Sequence, residues 1–229
     1  MNINRRLKKV AEFVPSDCSF LDVGCDHALL DIYLYKDKEK KIRKVVASDN
    51  KQGPLDKAYI NIKKEKLENK IELRLGDGLD VYTEDIDTVI ISGMGGRSMI
   101  GIFKNHLEYL DNIKTIVLSP NNYQIDVKMF LVKNGFYIDK EFLVKEGKII
   151  YQVIRFVKGK KKYSYRQYFF GPELLKHKNN IFFEYYGREL QSRKIILQLL
   201  PKGNFLRKIK LKREIKLLKQ ELELEVLWK

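Results

Sequence analysis

A single glycine, Gly24, interrupts a short apolar run of Phe20, Leu21 and Val23, and Cys25-Asp26-His27-Ala28 follows before an apolar helical pattern resumes at Leu29. Strand, glycine turn and helix form a frame in which backbone N–H groups can approach a ligand closely, because glycine lacks a Cβ and a helix start has unpaired donors. An ordinary βα turn has the same outline without a ligand. Asp49 argues against that plainer reading: it ends the next predicted strand, 25 residues after Gly24, where a carboxylate can accept both hydroxyls of a ribose. Two further glycine-flanked sites follow, Gly76-Asp77-Gly78 and Gly93-Met94-Gly95-Gly96. Asp77 is equally readable as a turn-former, and the three glycines at 93, 95 and 96 as a tight helix–sheet contact. Their common chemistry, where they act together, is nucleoside binding.

Each of these sites falls where a strand hands over to the next element. Residues 5 to 14 carry Leu7, Val10, Ala11 and Val14 at helical spacing, with Arg6 among the basic residues between them; Arg6 can meet a phosphate or simply stay solvated. Lys44 to Asp49 reads as a second strand, and Gly53-Pro54 opens a helix with Leu55, Ala58, Tyr59 and Ile62 on one face. Ile71 to Leu75 reads as a third strand and Ile86 to Ser92 as a fourth, with a helix through Met99, Phe103, Leu107 and Leu110 behind it. Lys114 to Ser119 is the fifth, followed by the rigid, amide-rich loop Pro120-Asn121-Asn122-Tyr123 and a helix that stops at Gly135. Phe136 to Val144 and Lys148 to Val157 then form a hairpin around Glu146-Gly147. Five βα units closed by a hairpin predict an α/β fold.

Four turns therefore fall at the carboxyl ends of neighbouring parallel strands, where open α/β sheets bind ligands. The first turn lacks the second and third glycines that admit a pyrophosphate, which weakens a nicotinamide dinucleotide reading. S-adenosyl-L-methionine fits better. Its ribose suits Asp49, its adenine amino group suits Asp77, and its sulfonium and amino acid tail belong near the glycine turns.

The chain has 229 residues, a formal charge of +15 and a pI near 9.6, so an anionic macromolecule is the expected partner. From Lys158 onward there are 19 Lys+Arg against 7 Asp+Glu, a net of +12, which leaves +3 for residues 1 to 157. Lys158-Gly-Lys-Lys-Lys162 is the expected boundary between a cofactor-binding domain, 1–157, and a basic helical hairpin, 158–229. Gly171-Pro172 opens a helical stretch to about Leu200, and a last helix runs to near Trp228 with an apolar seam at Leu211, Ile215, Leu218 and Leu222. Its other face, with Arg207, Lys208 and Lys212, is basic, as a nucleic-acid contact or as a solvated surface. Two cysteines at the ends of one strand cannot readily pair, there is no 18-residue apolar run, and the three scattered histidines supply no metal site. A cytoplasmic protein without membrane contact is expected.

Arg6-Leu7, Leu21-Asp-Val-Gly-Cys-Asp-His-Ala-Leu-Leu30, Gly53-Pro54, Gly76-Asp-Gly-Leu79, Ile91-Ser-Gly-Met-Gly-Gly96, Ser119-Pro-Asn121 and Phe170-Gly-Pro172 together resemble the bacterial tRNA (adenine-N1)-methyltransferases that modify adenine 22 in the D-arm. The resemblance spans nearly the whole chain. It implies a class I methyltransferase, with a Rossmann-like seven-stranded sheet and a coiled-coil-like helical hairpin, acting on tRNA; a monomer is expected, although the resemblance does not address oligomeric state. It further implies that Asp22, Gly24, Asp26 and His27 line the methionine end of the cofactor, that Asp49 and Asn50 hold the ribose, and that Asp77 and Gly78 bound the adenine. Gly93, Met94 and Gly95 would form the floor between cofactor and target base, with Ser119, Pro120 and Asn121 bordering the base. Asp26 and His27 are the candidate catalytic residues, although His27 can equally serve to fix the turn. The family usually carries serine where Cys25 stands here. Two other readings remain: a methyltransferase of the same fold acting on another RNA or on a protein, and a noncatalytic RNA-binding protein that keeps the fold. The intact acids at 49 and 77 and glycines at 24, 93 and 95 speak against the latter.

Overall fold

The five short strands with apolar residues on both sides pair side by side, as strands buried on two faces must. In the computed structural model, which describes residues 3–201 and 203–223, these are β1 (Ser19–Val23), β2 (Lys44–Asp49), β3 (Ile71–Leu75), β4 (Thr88–Ser92) and β5 (Thr115–Ser119). The hairpin β6 (Phe136–Glu146) and β7 (Ile149–Lys158) completes a seven-stranded sheet in the order β3-β2-β1-β4-β5-β7-β6. The first five strands are parallel and β7 runs antiparallel to β5. Strand order reverses between β1 and β4, and the register brings Val23 opposite both Ser48 and Ile91, so the turns expected to act together leave the sheet at one edge.

Alternation along the strands sends successive side chains to opposite faces. Phe20, Val45 and Ala47 join Val10, Ala11, Ile32 and Leu34 beneath α1 (Arg5–Phe13), α2 (Leu29–Lys36) and α3 (Gln52–Lys64). Leu21, Val23, Val89 and Ile91 join Met99, Phe103 and Leu131 beneath α4 (Gly96–Lys104) and α5 (Gln124–Lys133). The start of α1 is capped by Asn4, whose Oδ1 accepts from Leu7 N at 2.8 Å.

Several expectations are corrected. The fourth strand starts at Thr88 rather than Ile86, although Ile86 is buried as a strand residue would be. The helix expected to carry Leu107 and Leu110 stops at Lys104; a 3₁₀ turn, Leu107–Asp111, buries Leu110 and leaves Leu107 exposed. Tyr59, assigned to the buried face of α3, is also exposed. The long helix expected from Pro172 to Leu200 is broken into α7 (Pro172–Lys176) and α8 (Asn180–Leu199), because Asn179 caps a new start by accepting from Phe182 N.

The chain divides into two compact units at Glu173/Leu174, sixteen residues beyond the composition boundary. The intervening stretch is anchored in the first unit by polar bonds that composition cannot reveal. The Tyr163 hydroxyl accepts from Ile138 N and donates to Ile138 O, and α6 (Tyr165–Phe170) begins in a capping box at Ser164 and Gln167. Lys128 and Glu141, both with fully buried side chains, form an ion pair at 2.8 Å, and Glu141 also accepts from Gln152 Nε2 and Glu173 N. In the second unit, α8 packs with α9 (Phe205–Glu223) as a hairpin. The part of the last helix expected beyond Glu223 lies outside the described residues. The residues buried along α9 are Leu211, Glu214, Leu218 and Glu221, so two glutamates take seam positions assigned to Ile215 and Leu222. Arg193 pairs with Glu214 and Lys178 with Glu221, which makes those positions tolerable.

Lys128→Ala is expected to lower the unfolding free energy by about 3–5 kcal/mol, because it leaves the Glu141 carboxylate buried without its cation. Denaturant unfolding measures this; a loss below about 1 kcal/mol would show that Glu141 does not depend on Lys128.

Candidate active site

The loops at the carboxyl edge of the sheet are tied to one another by backbone bonds. Gly24 N and Cys25 N both donate to Ser48 O, at 2.8 and 2.9 Å, and Gly76 N donates to Asp49 O at 3.1 Å. Gly93 N donates to Ser119 O at 3.0 Å, and Asn121 N donates to Met94 O at 2.9 Å. The turn after β1 is wound tightly, with positive φ at Gly24, Asp26 and Ala28, and Asn61 Nδ2 holds it by donating to His27 O at 3.0 Å. Such conformations cost about 1–3 kcal/mol for residues other than glycine and concentrate at functional sites. Gly24 has a second requirement: a Cβ there would run into the methyl group of Met94.

Two adjoining cavities open along this edge, of about 580 and 420 Å³, and both are lined by Gly24, Asp49, Asn50 and Met94. The larger extends to Asp77 and Gly78 and is bounded by Gly95. The smaller holds Asp22, Asp26, His27, Gly93 and Arg6. Asp49 is oriented by Lys51 N, which donates to its Oδ1 at 3.0 Å. His27 Nε2 lies 3.5 Å from Asp26 Oδ2, and the Asp26 side chain is 70% exposed, open to whatever enters. Arg6 reaches in from α1, stacked 4.8 Å from the Tyr151 ring centroid with its guanidinium against Gly93.

Ser119 and Pro120 are buried, whereas Asn121 is exposed and donates through Nδ2 to Gly93 O at 2.6 Å. Of the three, only Asn121 meets the surface, and its amide braces the glycine loop. Gly96 is packed so closely on the Asn122 carbonyl that a Cβ has no room there, so the last glycine of that run serves helix–loop contact. Arg207, Lys208 and Lys212 are exposed on α9, in the second unit.

Several lining residues escaped the sequence reading. Asp80, Ser98, Ile102, Asn105 and His106 complete the larger cavity, with His106 Nε2 3.0 Å from Asp80 Oδ1 and its ring stacked on Tyr109. Nothing local marks them: Ser98, Ile102, Asn105 and His106 come from α4 and its end, and Asp80 from the turn after β3. Asp31 did carry a signal, an acid within the apolar run Leu29-Leu30-Asp31-Ile32. It is fully buried beside Asp22. Burial raises Asp22 to about 7, the charge of Asp49 pushes the same way, and a hydrogen bond with Asp31 opposes it. Burial and then the charge of Asp22 hold Asp31 well above the usual carboxylate range. Burial pushes the Cys25 thiol up as well, so it is inert.

Residues 20–221 match the family described as tRNA (adenine(22)-N(1))-methyltransferase. The chain belongs to this family. The tRNA (adenine(22)-N(1))-methyltransferase of Bacillus subtilis strain 168 is 27% identical over 210 residues, covering 89% of this chain and 87% of that relative. Sp1610 of Streptococcus pneumoniae, solved in complex with S-adenosyl-L-methionine, superposes with a TM-score of 0.88 at 30% identity, over 96% of this chain and all of that one. TrmK of M. capricolum, solved with S-adenosyl-homocysteine, gives a TM-score of 0.84 at 25% identity, over 96% of this chain and 98% of that one. The fold is thus a Rossmann-like methyltransferase fold, and the family's cofactor is S-adenosyl-L-methionine. Among the described residues, no helix is long and apolar enough to cross a membrane.

Proposed function

We propose that this chain methylates N1 of adenine 22 in tRNA, with the cofactor spanning the two cavities and the target base entering over Asp26. The observation that carries this reading is the meeting of the cavities at Gly24, Asp49, Asn50 and Met94, with Asp77 along one arm and Asp22 and Asp26 along the other. Carboxylates at both ends suit a ligand with ribose hydroxyls at one side and an ammonium at the other, and none of them suits a pyrophosphate. Asp49 and Asn50 hold the ribose, and Asp77 and Gly78 bound the adenine ring. Asp22, Gly24 and His27 take the methionine end, and Gly93, Met94 and Gly95 form the floor beneath the target base. Bound there, S-adenosyl-L-methionine supplies an electrophilic methyl group.

The protein's share of the chemistry is placement. Adenine N1 has an unprotonated lone pair at neutral pH, so no side chain need act as a strong base before attack, and orientation of the base dominates. A paired N1 is inaccessible, so the base must be unpaired or drawn from its stack. Methylation leaves the base cationic, and Asp26, exposed at the cavity mouth, is placed to stabilise that charge as it develops. Arg6 contributes a cation beside the glycine loop for the phosphate backbone, and Asn121 holds that loop at the border of the base. Arg207, Lys208 and Lys212 on α9 give tRNA a second, basic surface. Two buried free cysteines suit a reducing compartment, and we place the enzyme in the cytoplasm as a monomer.

Incubation with methyl-labelled cofactor and unmodified tRNA, followed by nucleoside mapping, is expected to give 1-methyladenosine at position 22, and no label in tRNA carrying guanine there. Label in another nucleoside would overturn the assignment. Asp49→Ala is expected to weaken cofactor binding by about 2–4 kcal/mol without unfolding the protein, the range for paired hydrogen bonds to a charged group. Calorimetry with unchanged affinity would remove Asp49 from the ribose. Asp26→Asn keeps size and most hydrogen bonding but removes the charge, so kcat and kcat/KM should fall together while cofactor affinity holds. An undiminished single-turnover rate at saturating cofactor and tRNA would exclude Asp26 from the methyl-transfer step.

A further inference from the structure

Asp31 is a buried acid with no assigned role. It sits at the start of α2, is 0% exposed, and among the described residues no donor of another residue reaches either carboxylate oxygen, so a hydrogen bond between it and Asp22 needs a proton on one of the two. A buried acceptor left this way is costly, and the group within reach of it is another acid, Asp22, itself 4% exposed on β1. Two carboxylates cannot satisfy one another, since neither has a hydrogen to give. One proton between them can. Asp22 also lines the smaller cavity, whereas Asp31 stands behind it, so the pair has one member in contact with ligand and one that is not.

We propose that Asp22 and Asp31 share a single proton in the ligand-free protein, and that the ammonium of the cofactor's amino acid end expels it to solvent on docking against Asp22. Asp31 is therefore a positioning residue: it holds the pair at a single negative charge when the site is empty and lets the pair turn more negative when a cation arrives. This rests on the proposed cofactor orientation. The surroundings favour it. The charged or titratable groups facing the pair are Asp49 from β2 and Cys25 from the turn, and Asp26, His27, Lys51 and Arg6 line the same cavity. Asp49 adds negative charge that discourages a second ionisation until a cation is present, and burial of the pair acts in the same direction. The sign follows. Protons held by the pair compete with the ammonium, so affinity falls as the pH is lowered and rises as it is raised.

The test is calorimetric titration of the full-length protein with S-adenosyl-homocysteine between about pH 6 and 7.5, below the range where an α-amino group loses its own proton. Buffers of different ionisation enthalpy report the protons released. Expected are release approaching one proton per ligand at the acid end and affinity falling by up to about tenfold per pH unit below neutrality. 5′-Methylthioadenosine, the same nucleoside without the amino acid end, should bind with neither effect. Asp31→Asn replaces the shared proton with a permanent amide donor to Asp22, so proton release should vanish and affinity become flat with pH, which a merely structural role would not produce. Should that variant fail to fold, the comparison of the two ligands on the native protein still decides. Binding of S-adenosyl-homocysteine without proton release, or the same release with 5′-methylthioadenosine, would overturn the shared proton while leaving the cofactor site intact. Absence of S-adenosyl-homocysteine binding at every pH would overturn the cofactor orientation and this inference with it.

Discussion

The paired bonds from Gly24 N and Cys25 N to the Ser48 carbonyl set the geometry on which the site depends. They clamp the first turn to the end of β2, so the turn cannot follow its own preference and instead takes positive φ at Gly24, Asp26 and Ala28. The strain is held by the sheet on one side and by Asn61 on the other. Asp26 and His27 are thereby turned toward the cavity, and Asp49 is held at the same edge by the same register. The glycine loop after β4 is fastened likewise, through Asn121 to the Gly93 and Met94 carbonyls. Loops braced this way are preorganised, as a reaction governed by placement requires.

Among the described residues, Lys128, Glu141, Glu214 and Glu221 are buried with an opposite charge facing each. Lys128 answers Glu141 behind the hairpin, and Arg193 and Lys178 answer Glu214 and Glu221 along the helical unit. Each pair costs desolvation and gives in return a defined docking of one element on another. Asp22 and Asp31 are of another kind, since among the described residues no cation is paired with Asp31. An acid pair left facing a ligand cavity is poised for a cation that comes with the ligand, which is why the structural pairs and this one have different consequences for binding.

The basic residues divide between two surfaces. Arg6 is beside the cavity in the first unit, while the dense row at Arg207, Lys208 and Lys212 lies on α9 in the second. On the proposed tRNA reading, the second surface gives affinity over a long backbone and the first brings a single nucleotide into register. The basic stretch at Lys158 to Lys162, which composition assigned to the appendage, belongs instead to the first unit.

Much was legible in the residues alone. The alternation of apolar strand and amphipathic helix, the glycines at the strand ends, and the acids at 49 and 77 are local patterns, and local patterns are fixed by backbone sterics and by the periods of strand and helix. They sufficed for the fold class and for a nucleoside ligand, while Asp22, Asp26, His27 and Asn50, which line the cavities, were implied by the family resemblance. What tertiary structure decided was everything that depends on residues far apart in the chain meeting. Asp80 and His106 pair across loops, and Arg6 reaches Gly93 from another element. Glu214 and Glu221 enter an apolar seam only because Arg193 and Lys178 face them. Residues 158–173 join the first unit through a tyrosine hydroxyl and a helix cap, which hydropathy does not register. Asp31 shows the limit most sharply: its place in an apolar run marks it as buried, but its partner is on β1, and only the packing of α2 on the sheet brings the two acids together.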